Sequence, residues 1–311
     1  MKPSSAKEEE RRKTMDLKSE KWMSQIRDDI KISEITIPGT HNTCASKCSV
    51  FAKCQKISLM EQLNLGVRFI DIRCCHSNDS FNLHHGNFKI ECDFEHGVMG
   101  VCVQFLCSNP TETIICLLKP EHMSKNNPSE FDEKFLNYVQ KYKNYWYLHD
   151  AIPTLSDVRG KIVLLRRFFS TRVPLGIDMS AWRDSQTFYV QNHPEFKFSI
   201  QDEYKLKAGP KWTRVLNLLK RAQEIDRHDN IWHLNYASAA NWPLQPPVYI
   251  AYRIKKHLNS HLGKLVGTDT HENDMMNLGT IIIDFAEEEI VKRIFSINFT
   301  KNKKALKNTQ T

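Results

Sequence analysis

The chain reads as an α/β protein, a single-domain barrel of parallel strands wrapped by helices, on three observations. Eight short β-rich runs alternate with polar or helical stretches, several of the runs are apolar without interruption, and each run ends in polar or charged residues. Continuous apolar runs are what strands buried on both faces of a parallel sheet require, whereas a sheet with one wet face alternates. Eight such strands are expected to close on themselves.

The runs are Ile32 to Ile37, Val67 to Cys74, Phe81 to His85, Thr113 to Lys119, Lys161 to Phe168, Lys197 to Gln201, Ile231 to Ala237 and Thr280 to Phe285. Between them, Leu59 to Leu65, Phe94 to Ser108, Pro128 to Tyr142, Lys211 to Arg227, Ala251 to Leu262 and Glu287 to Phe295 have apolar spacings near 3.6, the period of a helix with one buried face. The link from His76 to Ser80 is too short for a helix, so the barrel is expected to be irregular there. Pro120, Pro153, Pro194 and Pro243 fall in connections, where a missing donor costs little. No composition shift divides the chain. A charged leader over 1–20 and a polar tail over 299–311, both expected to be frayed, flank one unit over 21–298.

The 311 residues suit one large barrel or two small domains, and with 41% hydrophobic residues a sizeable core is available. Lys and Arg number 44 against 36 Asp and Glu, and this formal charge of +8 favours acidic partners, either nucleic acid or an anionic membrane face. Met1 to Lys21 mixes both signs of charge and has no apolar core, which argues against a secretory signal. No apolar run approaches the ~18 residues that span a bilayer. The expectation is a soluble protein with peripheral membrane contact.

Nine cysteines, at 44, 48, 54, 74, 75, 92, 102, 107 and 116, make an odd number concentrated towards the N-terminus. Without a signal sequence they are expected to be free thiols in a reducing compartment, which points to a cytoplasmic location. Cys44, Cys48 and Cys54 lie close together and Cys74-Cys75-His76 is a triplet, but the spacings match no standard C-x2-C pair. They are read as small buried side chains, and no metal or other cofactor is expected.

In a parallel barrel the active site lies at the C-terminal ends of the strands. The runs end at His41, at Asp71 and Arg73, at His84 and His85, and at Lys119 and Glu121; then at Arg166 and Arg167, Asp202 and Tyr204, Asn235, and Asp284. These residue types together suit a phosphate carrying a polyol. Two histidines facing one phosphate suit acid-base cleavage of a phosphodiester, one imidazole accepting a proton from the attacking hydroxyl while the other donates to the leaving oxygen. Imidazole, with an ordinary pKa near ~6.5, serves in either role at neutral pH. Arg73 would neutralise charge building on the phosphoryl oxygens, its planar fork matching two of them. Each residue alone has a plainer explanation: a strand-end histidine is often only a satisfied polar group, Arg73 a salt-bridge partner, and Asp284 a partner for a nearby lysine. Neighbours on a strand face opposite ways, so only one of His84 and His85, and one of Arg166 and Arg167, can face the barrel mouth.

The stretch from Ile37 to His85, with PGTHN, LGVRFIDIRC and LHHG, resembles the X-region of the phosphatidylinositol-specific phospholipases C, in particular their single-domain, bacterial-like branch. The likeness continues through Asn109 to Ile115, Arg159 to Leu165, Ile200 to Tyr204 and Ile283-Asp284. It implies a distorted TIM (β/α)8-like barrel and a reaction in which the inositol 2-hydroxyl attacks its own phosphate. Diacylglycerol leaves, and inositol 1,2-cyclic phosphate remains. Carried onto matching positions, His41 becomes the general base, His85 the general acid, and Asp284 the carboxylate that orients His41. Arg73 becomes the phosphate ligand and Asp71 a support for the acid. Lys119, Arg167 and Asp202 would bind the inositol hydroxyls, and Tyr204 would pack on the ring. At Asn42 the bacterial branch carries an aspartate that assists the acid, so the amide is expected to weaken leaving-group protonation. Asparagine at this place is a metal ligand in the calcium-dependent relatives, but those carry an acidic residue where this chain has Arg73. The resemblance therefore implies calcium independence.

A phospholipase must press apolar side chains into the membrane while basic ones meet headgroups. The expected rim is the loop with Val50, Phe51, Lys53 and Lys56, together with Trp242 in Ala240 to Leu244. The expected partner is phosphatidylinositol in membranes, met by a monomer. No recognised nucleic-acid module occurs, and no cluster of acidic strand ends suits a metal-dependent phosphodiesterase. The alternative is a catalytically weak or inactive inositol-phospholipid-binding protein on the same barrel.

Overall fold

The uninterrupted apolar runs form the centre of one curled sheet, because β-branched side chains pack well on pleated surfaces buried on both sides. A computed structural model describes residues 18–77, 80–121, 129–224, 229–241, 245–265 and 276–300. Its strands are β1 (Ile37–Thr40), β2 (Phe69–Ser77), β3 (Ser80–His85), β4 (Phe88–Asp93), β5 (Ile114–Pro120) and β6 (Trp146–Tyr147). They continue with β7 (Ile162–Arg166), β8 (Ile177–Asp178), β9 (Thr187–Val190), β10 (Lys197–Gln201), β11 (Ile231–Tyr236) and β12 (Thr280–Ile283). The helices are α1 (Leu59–Leu65), α2 (Val101–Ser108), α3 (Ser129–Lys141), α4 (Leu155–Val158), α5 (Ala208–Glu224), α6 (Pro247–Leu265) and α7 (Glu288–Ser296), with a π-helical turn over Phe94–Gly100 leading into α2.

Eight strands run parallel in the order β6-β7-β5-β2-β1-β12-β11-β10. β6 and β8 share the outer edge of β7, pairing with its lower and upper halves respectively. β9 adds an antiparallel strand beyond β10. Among the described residues no ladder joins the β6/β8 edge to β9. The barrel is therefore curled but not sealed by hydrogen bonds, which corrects the expectation of full closure.

Two of the eight expected runs play other parts. Ile32 to Ile37 is not a strand: Ile32–Glu34 is a 3-10 turn, and β1 starts at Ile37. Ile32 and Ile35 are buried without entering a ladder, and Thr36 is satisfied by the Asn298 side chain on both its N–H and its carbonyl. The apolar spacing there reports a plug under the barrel floor. Phe81 to His85 is β3, an antiparallel hairpin arm paired with β2 and β4 and set outside the parallel set. Its base is held by Phe81, stacked on Phe131 at 4.4 Å, with its N–H donating to the Tyr138 hydroxyl at 3.1 Å.

The floor is closed by charge. Arg68 and Glu112, both fully buried, meet through Nη2 and Oε2 at 2.8 Å, and Arg68 also donates to the carbonyls of Leu63, Val67 and Glu20. Each donor is used, which is what makes a buried pair tolerable. Trp22 stacks on Phe295 at 5.3 Å beneath α7. The folded unit thus already includes Ser19 and Glu20, expected in the leader, because their 3-10 turn carries Trp22 and Met23 into the floor. At the other end Ile297–Phe299 forms a 3-10 turn that continues past 298, and Thr300 is buried. Residues 1–17 and 301–311 lie outside the described residues.

Candidate active site

Parallel register brings the first two site residues together. Thr40 on β1 pairs with Ile283 on β12, so the next residue of each chain segment, His41 and Asp284, meets the other at the top of the barrel. The His41 N–H donates to the Ile283 carbonyl, and its Nδ1 lies 2.8 Å from Asp284 Oδ1. Gln55 locks this corner by donating to the carbonyls of His41 and Ile283 while accepting from the Ala286 N–H. β1 approaches β2 so closely that a Cβ at Gly39 would stand 2.9 Å from the Phe69 Cβ. A side chain there would push His41 away from Arg73.

With Asp284 accepting from Nδ1–H, His41 Nε2 carries the lone pair of a general base. Asn42, in the left-handed region at φ 43°, places its Nδ2 3.1 Å from that atom. The amide thus caps the His41 nitrogen that faces away from Asp284 and also points at Cys54 Sγ, 3.9 Å away.

A second register gathers two cations at the cavity wall. Arg73 on β2 pairs with Lys119 on β5, and Asp71 lies two residues before Arg73 on the same face. Asp71 accepts from Arg73 Nη2 at 3.2 Å, and Glu121 stands 4.0 Å from Arg73 Nη1 and 3.1 Å from Lys119 Nζ. Burial works most strongly against charge on Asp71 and Glu121, but Arg73 together with His41 and Arg167 around Asp71, and with Lys119 and the Gly86 N–H around Glu121, outweighs it, and both carboxyls sit below their usual range. Burial likewise opposes the Arg73 charge, and Asp71 and Glu121 overcome it. Lys119 is pushed below the ordinary lysine value, first by burial and then by Arg73. Asp71, expected as a support for the acid, accepts from Arg73.

His85 ends β3, and its Nδ1 lies 2.7 Å from the Ala52 carbonyl. That bond puts a proton on Nδ1 and turns Nε2 to the site. Burial, then the neighbouring His41, lowers its pKa, and an anion placed beside it would favour the charged form. The two imidazoles lie edge to face with centroids 5.9 Å apart. Glu121 reaches across to accept the Gly86 N–H at 2.9 Å and ties the hairpin tip to Arg73 and Lys119.

Alternation along the strands separates the paired candidates. His85 lines the cavity and His84 does not; Arg167 lines it, while Arg166 turns to Asp178 and the carbonyls of Leu175 and Phe168. Arg167 lies over the Trp182 ring at 3.9 Å, and Trp182 Nε1 donates to Asp202 Oδ2 at 3.0 Å. Tyr204 donates its hydroxyl to Asp184 at 2.8 Å, and burial together with that bond pushes the phenol up to about 12. Asn235 faces Gln201 and the Val215 carbonyl and is structural.

The expected set therefore converges on one cavity of about 260 Å³, bordered by His41, Arg73, His85, Lys119, Arg167, Asp202, Tyr204 and Asp284. Asp71 and Asn42 stand directly behind them. Glu121 was visible only as a strand-end charge without a role. Trp182 and Asp184 come from the loop between β8 and β9, where no periodic signal exists to mark them. Cys54 also borders the cavity, and its Sγ shares a space of 4.8 Å with ligand atoms of His41 and Asp284. Phe51 is exposed on the loop above. Trp242 lies outside the described residues.

The arrangement matches known proteins along nearly its whole length. The family pattern for the phosphatidylinositol-specific phospholipase C, X domain, matches residues 29–168. A 1-phosphatidylinositol phosphodiesterase of Listeria monocytogenes is 33% identical over 294 residues, covering 90% of this chain and 85% of the relative. One from Staphylococcus aureus is 30% identical over 305 residues, covering 90% and 94%. The crystal structure of the phosphatidylinositol-specific phospholipase C from Listeria monocytogenes superposes with a TM-score of 0.75 at 29% identity, over 90% of this chain and 99% of that one. A Staphylococcus aureus phosphatidylinositol-specific phospholipase C reaches a TM-score of 0.79 at 27% identity, over 90% and 98%. With one shared distorted TIM-barrel fold and this extent of sequence identity, the chain belongs to the phosphatidylinositol-specific phospholipase C family.

Proposed function

We propose that this chain is an enzyme that cleaves phosphatidylinositol into diacylglycerol and inositol 1,2-cyclic phosphate. The single observation that carries the reading is the Asp284–His41 pair facing His85 across a cavity with Arg73 on its wall. His41 Nε2 takes the proton of the inositol 2-hydroxyl once the Asn42 amide gives way to substrate, and Asp284 stabilises the imidazolium that forms. Arg73, held by Asp71 and Glu121, presents its guanidinium to the phosphoryl oxygens. His85 Nε2 protonates the departing glycerol oxygen.

The reading includes metal independence, because a guanidinium and an ammonium already occupy the charge-neutralising positions and repel a hard cation that would need several oxygen ligands. It includes an unphosphorylated inositol ring. Lys119 is paired with Glu121, Arg167 is stacked on Trp182, and Asp184 and Asp202 add carboxylates to the wall, so extra ring phosphates would meet negative charge. Peripheral membrane contact is supported by Val50 and Phe51, which are 77% and 57% exposed, and by Val248, Tyr249 and Tyr252 on α6, whose Pro247 borders the cavity. No disulfide joins any of the nine cysteines, which supports a cytoplasmic setting. The catalytic set is complete within one chain, so the working unit is proposed as a monomer, and a cavity of this kind offers nothing to nucleic acid.

The alternative of a weak or inactive binding protein draws on Asn42 alone. A base, an acid and an orienting carboxylate held together have no use in mere binding. Incubation with phosphatidylinositol vesicles, with phosphorus NMR of the products, tests the two. Wild-type protein is expected to yield the cyclic phosphate and His41→Ala none; folded wild-type protein that binds vesicles without product would establish the binding reading.

A further inference from the structure

Cys54 is a cavity-lining side chain to which phospholipase chemistry gives no task. It is 1% exposed, and its Sγ lies 3.7 Å from His85 Nδ1 and 3.9 Å from Asn42 Nδ2. Among the described residues, one group of side chains brings three potential metal-ligand atoms within 4.8 Å of one another: His41, Cys54 and Asp284. Beside it, Asn42 Oδ1 is buried with no hydrogen-bond partner. An imidazole, a thiol and a carboxylate with a spare amide oxygen make a donor set for a thiophilic ion, not for calcium.

We propose that His41, Cys54 and Asp284 form an inhibitory site for zinc or a similar thiophilic divalent ion, which silences the enzyme by taking its general base. Charge favours this ion over a hard one. The Cys54 thiolate and the Asp284 carboxylate together cancel a double positive charge, whereas a hard divalent ion that does not draw the proton from the thiol would have only Asp284 against it and would keep a net positive charge near Arg73. Tetrahedral zinc bonds of about 2.0–2.3 Å place ligand atoms roughly 3.5 Å apart, so the observed spread closes with a shift of about 1 Å. The S–H proton leaves to solvent as the metal–sulfur bond forms, and nothing is oxidised. Whichever His41 nitrogen binds, catalysis stops: if Nε2 binds, its lone pair is gone, and if Nδ1 binds, Nε2 must carry the ring proton. The fourth position faces the cavity and takes water.

The inhibition rests on the phospholipase reading, but the binding does not, and the test separates them. Zinc stoichiometry by equilibrium dialysis of the full chain is compared for wild type, Cys54→Ser and Cys48→Ser, alongside cobalt spectra and hydrolysis relative to each protein's zinc-free rate. Wild type and Cys48→Ser are expected to be inhibited by micromolar zinc, restored by EDTA and indifferent to magnesium and calcium. Cys54→Ser should bind one zinc fewer, lose a sulfur-to-cobalt charge-transfer band and need at least about tenfold more zinc for half inhibition. Equal stoichiometry and equal sensitivity in Cys54→Ser would overturn the site. If no protein hydrolyses phosphatidylinositol, the phospholipase reading falls while dialysis and cobalt spectra still decide the metal site.

Discussion

Replacing Asp284 with Asn removes a charge at nearly constant shape, and its cost follows from the geometry of the His41 pair. Oδ1 lies 2.8 Å from Nδ1, and the two side chains are 2% and 16% exposed. When His41 takes the substrate proton, the imidazolium and carboxylate charges stand about 4 Å apart, worth about 4 kcal/mol at an effective dielectric near 20. Each ~1.4 kcal/mol is tenfold in rate, so the ceiling is about a thousandfold in kcat. Partial exposure of the imidazole screens the pair and lowers the expected loss to roughly 100- to 1,000-fold, unless the new amide presents Nδ2 to the ring. In that case the wrong tautomer is enforced and the loss approaches ~10⁴. The assay uses a soluble inositol phosphodiester with a nitrophenol leaving group, which needs little help from His85 and keeps slow variants measurable. In a His41→Ala background the same Asp284→Asn change should cost less than about threefold, because the carboxylate then has no imidazolium to stabilise. An Asp284→Asn enzyme within about threefold of wild type, or an equal loss in both backgrounds, would refute the assignment.

Arg73→Lys is expected to lower kcat by roughly 100-fold or more with less effect on KM, because a point charge replaces a fork held between Asp71 and Glu121; steady-state kinetics on the same substrate would read the split. Hydrolysis should persist in EDTA and gain nothing from added calcium, and activity abolished by chelation and restored by calcium would end the metal-independent mechanism. Val50→Ala with Phe51→Ala should weaken vesicle binding, seen by sedimentation, by about 2 kcal/mol or less while leaving turnover of soluble substrate near wild type. His233 is 1% exposed on β11, and burial lowers its pKa to about 4. Above pH ~6.5 it is neutral whether folded or not; below that value the unfolded chain binds a proton that the folded chain refuses. Stability should therefore fall between pH 6.5 and 4 by about 3 kcal/mol, and urea titrations of His233→Leu should show a shallower loss across that window.

What the sequence made legible is what register makes local. His41 and Asp284, 243 positions apart, could be assigned because each directly follows an apolar strand and strand ends share one rim. The same logic reached Arg73, Lys119, Arg167 and Asp202. It failed where burial and strand formation part company: Ile32 to Ile37 has the apolar spacing of a strand but serves as a floor plug, and periodicity reports only the burial. The exposed hairpin arm β4 went unread although Phe88, Ile90 and Cys92 alternate with Lys89 and Glu91 after a Gly86-Asn87 turn. Trp182 and Asp184 had no local pattern at all; from one loop Trp182 contacts Arg167 and Asp202, and Asp184 accepts from Tyr204 and Lys205. The role of Cys54 was hidden for the opposite reason, since its neighbours in sequence suggested thiol clusters while its neighbours in space are His41, His85 and Asp284.

The proposed base and the proposed acid rest on different supports, and the loop after β1 is where they join. His41 is fixed by the parallel β1–β12 register and by Gln55, but His85 hangs on a hairpin outside the barrel and depends on the Ala52 carbonyl for its orientation. Phe51, the exposed residue proposed to meet the membrane, and Ala52, whose carbonyl orients His85, are consecutive. Cys54, Gln55 and the Gln62 bond to the Thr43 carbonyl then carry the same loop back to the base. The hairpin inserted along the chain between β2 and β5, which themselves pair directly, is thus what the chemistry needs, because a strand confined to the parallel sheet would hold His85 at the rim beside Arg73. A hairpin instead carries it out to face His41 at the cavity, with the ring centroids 5.9 Å apart.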